Sequence, residues 1–287
     1  MARDRGPRYV APVLDPSWQN PYAPSPSERH HNQRVVRRFA FRRRLPQTIV
    51  VGVVVVAALA LAAIVPWLAV VGVGLALLYA WDLRRVLATY AERGQRLGSM
   101  VLGALAPGGD EAERLRLATV VDRLAATFGV GKTSAYVVED QGYNAALVPD
   151  GAAHSLIVTS SLIRDFELIE LEGVVAHCLA RQRLGLVERE SLAAVLTLSE
   201  DARQALAGRG KTFRADEVGA ASIRYPLGLA GALRKCARQR LAEDSFFASA
   251  TYAQWRWVFF NQWADRKASD LADLDDVEVR ARALEEW

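Results

Sequence analysis

The pattern of apolar and polar positions divides the chain before any single residue is considered. From Thr48 to Trp81 there is no charged side chain. One straight helix over that stretch would be about 51 Å long at ~1.5 Å per residue, well beyond a hydrocarbon core of ~30 Å. The run is therefore predicted to fold back at Pro66-Trp67, where a proline interrupts the helix and an indole suits the interface, giving two spans at about 48–65 and 67–82. Leu83 to Leu105 continues with an amphipathic helical period, which Pro107-Gly108-Gly109 breaks. Asp110 and Glu113 then form an acidic variant of a capping box, followed by a helical stripe of Leu115, Val120, Val121, Leu124 and Phe128. Shorter runs at Ala135 to Glu139, Asn144 to Val148 and Ser155 to Thr159, separated by turns at Gly142 and at Pro149-Asp150-Gly151, are predicted strands. Helices are predicted at Asp165 to Gln182 and Val187 to Leu206. The aromatic stretch Trp255 to Trp263 is too short to span a membrane and reads as a domain-packing or membrane-surface helix.

The expected fold class is thus α+β: a transmembrane helical hairpin (46–82), a juxtamembrane helix and linker (83–109), and a mainly helical domain with a small β-sheet (110–287). Residues 1–45 contain Pro7, Pro12, Pro16, Pro21, Pro24 and Pro26 with no regular period, and most of them are expected to be disordered. Arg34, Arg37, Arg38, Arg42, Arg43 and Arg44 precede the apolar run, Arg84 and Arg85 follow it, and the central turn carries no charge. By the positive-inside rule this predicts a multi-pass protein of the cell membrane with both termini and the domain in the cytoplasm, and the lipid bilayer as a partner. A net charge of only +4 argues against nucleic acid as a partner. A twin-arginine signal at Arg37-Arg38 fits poorly, because Ala40 stands where a large apolar residue is wanted, and a cleaved signal peptide would leave a second apolar segment unburied. The two cysteines, Cys178 and Cys236, form no CxxC and no disulfide framework. Gly129 to Thr133 is not a phosphate-binding loop: Ala126 replaces its first glycine, and the order runs helix then strand.

Glu172 to Arg181, EGVVAHCLAR, stands where a zinc peptidase carries HExxH, a helix turn in which two histidines four apart converge on a metal and the intervening glutamate activates water. With the blocks LAATFGVGKTSAYVV (Leu124–Val138), YNAALV (Tyr143–Val148) and HSLIVTSSL (His154–Leu162), and with ADEVGAASIRYPLGLAGALRK (Ala215–Lys235) further on, the chain from about residue 85 resembles the membrane-bound M48, HtpX-like, metallopeptidases. The resemblance implies a zincin-like domain. It maps the family's metal ligands to His177, Arg181 and Thr212, its catalytic glutamate to Cys178, and a group hydrogen-bonded to the zinc-site histidine to Asp216. It also maps the substrate-binding edge strand to Asn144, Ala145 and Ala146. Unlike family members, this chain has no room for further spans between Arg181 and Thr212.

The degenerate motif implies a membrane-anchored pseudopeptidase that binds a membrane or cytoplasmic protein or peptide, with no cofactor. The alternative is an active zinc metalloendopeptidase with atypical ligands. Arg181, four residues from His177, is expected to stand in for the metal charge, paired with Asp216 or Glu217.

Overall fold

The computed structural model describes residues 25–196, 198–208, 210–263 and 276–287. It is mostly helical with one three-stranded sheet. Two long antiparallel helices, α1 (Pro26–Leu61) and α2 (Trp67–Gln95), form the N-terminal hairpin. Phe41–Leu61 of α1 and Trp67–Ala104, which continues past the end of α2, are long and apolar enough to cross a membrane, and most of the large apolar side chains between Ile49 and Trp81 are exposed. The Arg44–Asp82 ion pair at 3.4 Å and the Thr48 and Tyr79 hydroxyls at 2.6 Å join the two helices at the polar end of the apolar run. Gly72 allows a close approach near the turn, where an added Cβ would meet that of Ala58 at 3.3 Å.

Residues 26–45 differ from the expected disordered tail: they are the first five turns of α1. Ser25 caps the helix by accepting from the Glu28 N–H, with Pro26 in the first turn. The tertiary reason for order is Asn32, fully buried, which donates to the Leu184 carbonyl at 2.7 Å and accepts from Arg189 at 2.8 Å. Glu28 pairs with Arg214 nearby. Residues 1–24 of the expected tail lie outside the described residues.

After α3 (Leu97–Ala104) the chain enters α4 (Glu111–Phe128), which carries the full Asp110–Glu113 capping box and ends at Gly129 with φ 59°. The strands are β1 (Thr133–Val138), β2 (Ala145–Asp150) and β3 (Ala153–Thr159) in the order β1-β3-β2, with β1 parallel and β2 antiparallel to the central β3. A short α5 (Ser160–Asp165) leads to α6 (Leu168–Leu184), the central helix of the domain. It is packed by α4, by α9 (Lys211–Ile223) and by α10 (Pro226–Arg238), and faces β2. Two glycines set these crossings. A Cβ on Gly173 would lie 2.8 Å from the Leu229 backbone of α10, and one on Gly219 of α9 would lie 3.0 Å from the His177 amide. The expected helix Val187 to Leu206 is two, α7 (Val187–Val195) and α8 (Glu200–Ala207), with Ser199 capping the second. The aromatic stretch forms only the end of α11 (Ala250–Trp255) and one 3-10 turn before extending along the sheet, and α12 (Val277–Glu285) closes the described chain.

Candidate functional site

On α6 the residues Val174, His177, Cys178 and Arg181 follow the i, i+3, i+4, i+7 spacing of one helix face, and all four are buried. That face turns into the centre of the domain. Asp216 of α9 reaches the imidazole, with Oδ1 2.6 Å from His177 Nδ1. The same carboxylate accepts from Arg280 of α12, Nε at 2.6 Å and one terminal nitrogen at 2.9 Å. Arg280 in turn donates to the Phe260 carbonyl at 3.0 Å and lies over the Phe260 ring, whose plane stands edgewise to His177 at 5.1 Å between centroids.

Electrostatics fix the protonation of this triad. Burial pushes His177 down to about 4, against the pull of Asp216. Burial would raise Asp216, but the Arg280 guanidinium and His177 outweigh it and hold the carboxyl below its usual range. The neutral imidazole therefore keeps its proton on Nδ1 and donates it to the carboxylate. Its Nε2 lone pair is buried without a hydrogen-bond partner.

Arg181 pairs with neither Asp216 nor Glu217, contrary to the expectation. Its Nε donates to Glu190 of α7 at 2.9 Å, a terminal nitrogen also contacts that carboxylate, and both ions are almost fully buried. The remaining donors reach the Val258 carbonyl at 2.8 Å and the Trp257 carbonyl at 3.4 Å. Glu217 pairs instead with Arg214, at 3.0 Å. Cys178 packs in the apolar core, where burial pushes its thiol up to about 12. Thr212 is buried one turn before Asp216 on α9. The structure thus groups His177 with Asp216, and adds Glu190 and Arg280, which the motif reading did not include.

The edge expected to receive a peptide is filled by the chain itself. Phe259 bridges antiparallel to Ala146, the Phe260 N–H donates to the Ala145 carbonyl at 2.7 Å, and the Asn144 side chain exchanges hydrogen bonds with the Asn261 backbone at 2.9 and 3.0 Å. Residues 257–261 therefore lie between β2 on one side and two arginines on the other: Arg181 binds the carbonyls of 257 and 258, and Arg280 that of 260. Asn144, Ala145 and Ala146 have no backbone edge open to another peptide in this arrangement.

The donors at the mapped positions do not suit a divalent metal. One imidazole nitrogen is available, but the second position is a permanent cation, the third an alcohol, and the neighbouring thiol is held protonated. Among the described residues no three His, Cys, Asp or Glu side chains are grouped to hold an ion. No family model, curated protein or solved structure matches the chain.

Proposed function

We propose that the protein is a membrane-anchored pseudopeptidase: an M48-like, zincin-like domain in which two arginines and a segment of the chain occupy the places of metal and substrate. The observation that supports this most is Arg181. Where the resemblance calls for a metal-binding histidine, a buried guanidinium neutralised by Glu190 grips the backbone of residues 257–258. A metal at that point would meet a guanidinium in place of an imidazole lone pair, and the position next to His177 to which the resemblance maps the water-activating glutamate is Cys178. Such a domain acts by binding a membrane or cytoplasmic protein through its outer surface, because its strand-addition edge is already taken.

The hairpin anchors it with both termini in the cytoplasm, a reading supported by arginines at both outer ends of the apolar run. Reporter fusions at residue 40 and at the C-terminus should both read as cytoplasmic. The test of catalytic silence is the metal content and casein hydrolysis of the full chain purified in detergent. Expected are zinc far below one per chain and no hydrolysis. One zinc per chain, removed together with activity by a chelator, overturns the proposal in favour of an active metalloendopeptidase. Installing Cys178→Glu, Arg181→His and Thr212→Glu together is expected to raise zinc occupancy above that of the native chain.

A further inference from the structure

Between the polar ends of α1 and α2 and the domain lies a half-open cleft of about 1190 Å³. That is larger than the ~300–1,000 Å³ usual for small-ligand clefts. Part of its wall is apolar, with Phe39 of α1, Leu87 and Tyr90 of α2, and Leu192 of α7, and His30, Gln33, Gln95, His154 and Ser191 line other parts of it. Its α1 side also carries Arg34 and Arg37 on one helix face, both exposed. Arg34 donates only weakly, to the His30 carbonyl at 3.4 Å, and neither arginine forms an ion pair among the described residues. Residues 34–44 hold six arginines and no acid, and the acidic residue lining the cleft is Glu188, on α7.

The cleft begins just below the membrane-crossing run. Arg37 is four residues and Arg34 seven residues before Phe41, where the membrane-crossing segment begins, about 6 and 10 Å along a helix rising ~1.5 Å per residue. The headgroup layer on each side of a bilayer is roughly 5–8 Å deep, so an arginine side chain at 37 can meet a phosphate in it. Guanidiniums with no ion-pair partner among the described residues, beside apolar side chains of both hairpin helices, match the chemistry of a phosphodiester with an attached acyl chain.

Resting on the membrane-anchored reading above, we propose that this cleft binds one anionic phospholipid of the adjoining leaflet, its phosphate on Arg34 and Arg37 and part of an acyl chain along Phe39, Leu87 and Leu192. The guanidiniums select the anion. The apolar wall distinguishes a lipid from a free phosphate.

The test reconstitutes the full chain into vesicles of phosphatidylcholine with phosphatidylglycerol, re-solubilises it in mild detergent and identifies the co-purifying lipid by mass spectrometry. The expected result is retained phosphatidylglycerol, enriched over phosphatidylcholine. Arg34→Gln with Arg37→Gln should reduce it about tenfold or more, as loss of two phosphate-facing charges implies. Leu87→Trp, which fills the cleft without altering charge, should reduce it as well. Arg84→Gln with Arg85→Gln, a pair at the membrane end of α2 but outside the cleft, should leave it unchanged. Equal loss from both arginine pairs would mean general surface attraction and would overturn the proposal. So would equal retention of phosphatidylcholine, or displacement of the lipid by millimolar inorganic phosphate. Alkaline washing of the membranes reports separately on anchoring: release of the chain there sinks the hairpin reading, whatever the lipid assay shows.

Discussion

Replacing Asp216 by alanine is the sharpest perturbation of the buried centre. The carboxylate accepts two hydrogen bonds from Arg280 and one from His177. Its removal takes from Arg280, fully buried, the carboxylate that accepts two of its hydrogen bonds, and strips the imidazole Nδ1–H of its acceptor. Breaking one side of a buried ion pair typically costs ~3–5 kcal/mol, most of it from the charge left behind. At roughly 2–4 °C per kcal/mol for a domain of this size, the midpoint of thermal unfolding should fall by about 6–20 °C. The assay is thermal unfolding of the full chain in detergent, followed by far-ultraviolet circular dichroism. Asp216→Asn, which keeps the shape but loses the charge, should fall between the native chain and Asp216→Ala. Adding Arg280→Met to Asp216→Ala should recover part of the loss, because the buried guanidinium that Asp216 balanced is then removed as well. If Asp216→Ala costs less than about 1 kcal/mol, the centre is not held by this ion pair and the electrostatic reasoning fails.

Thr212→Ala, one turn away on the same helix, should change stability by no more than about 1 kcal/mol, since it removes a small side chain and strands no charge; a loss as large as that of Asp216→Ala would mean that Thr212 belongs to the network. His177 gives a pH signature. Its folded value of about 4 lies below the ~6.5 of an unfolded histidine, so the unfolded state binds the proton first. Its contribution is complete above pH ~6.5 and is lost as pH falls towards 4, by up to about 3 kcal/mol, whereas the depressed Asp216 carboxyl loses its contribution only below pH ~4. Urea midpoints across that range should show the decline, and His177→Leu should flatten it; an unchanged slope in the variant would contradict the assignment. Gly173→Ala should destabilise by about 1–3 kcal/mol, because its methyl would meet the Leu229 backbone at 2.8 Å, and a neutral result would show that α10 can shift.

What the sequence disclosed followed from how local each signal was. The uncharged run, the proline at 66 and the Asp110 capping box are encoded within a few residues, and the hairpin helices and α4 appear where they indicate. The partners of the buried charges are not local: Glu190 lies on the next helix, and Arg280 is 64 positions from Asp216. A signal for them existed in the helical period. Glu190 continues the stripe Val187, Ser191, Ala194, and Arg280 the stripe Val277, Ala281, Leu284, all of them buried except the partly buried Val277. A charged residue on a core-facing stripe must have a buried partner, as Arg181 does on its own stripe. The order of residues 26–45 was hidden for a different reason. Prolines at the start of the segment and a run of arginines resemble an unfolded tail, and the helix is docked by contacts distant in sequence: the buried amide of Asn32, whose partners are 152 and 157 residues away, and the Glu28–Arg214 pair. The extended segment from Phe259 to Asn261 was obscured by its aromatic neighbours, which suggest a helix face but instead pack around the edge of the sheet.

Phe259, Phe260 and Asn261 are held against the β2 edge, while Arg181 and Arg280 hold the carbonyls of 257, 258 and 260. Amide hydrogen exchange of the full native chain tests this directly. The amides of Phe259, Phe260, Asn261 and Trp263 are all hydrogen-bonded, to Arg256, Ala145, Asn144 and Tyr252 respectively. A peptide covering 257–263 should therefore exchange as slowly as one covering Leu156 to Thr159 of the central strand. Complete exchange of 257–263 within seconds, with the central strand still protected, would show that the segment leaves the edge freely and would contradict the account.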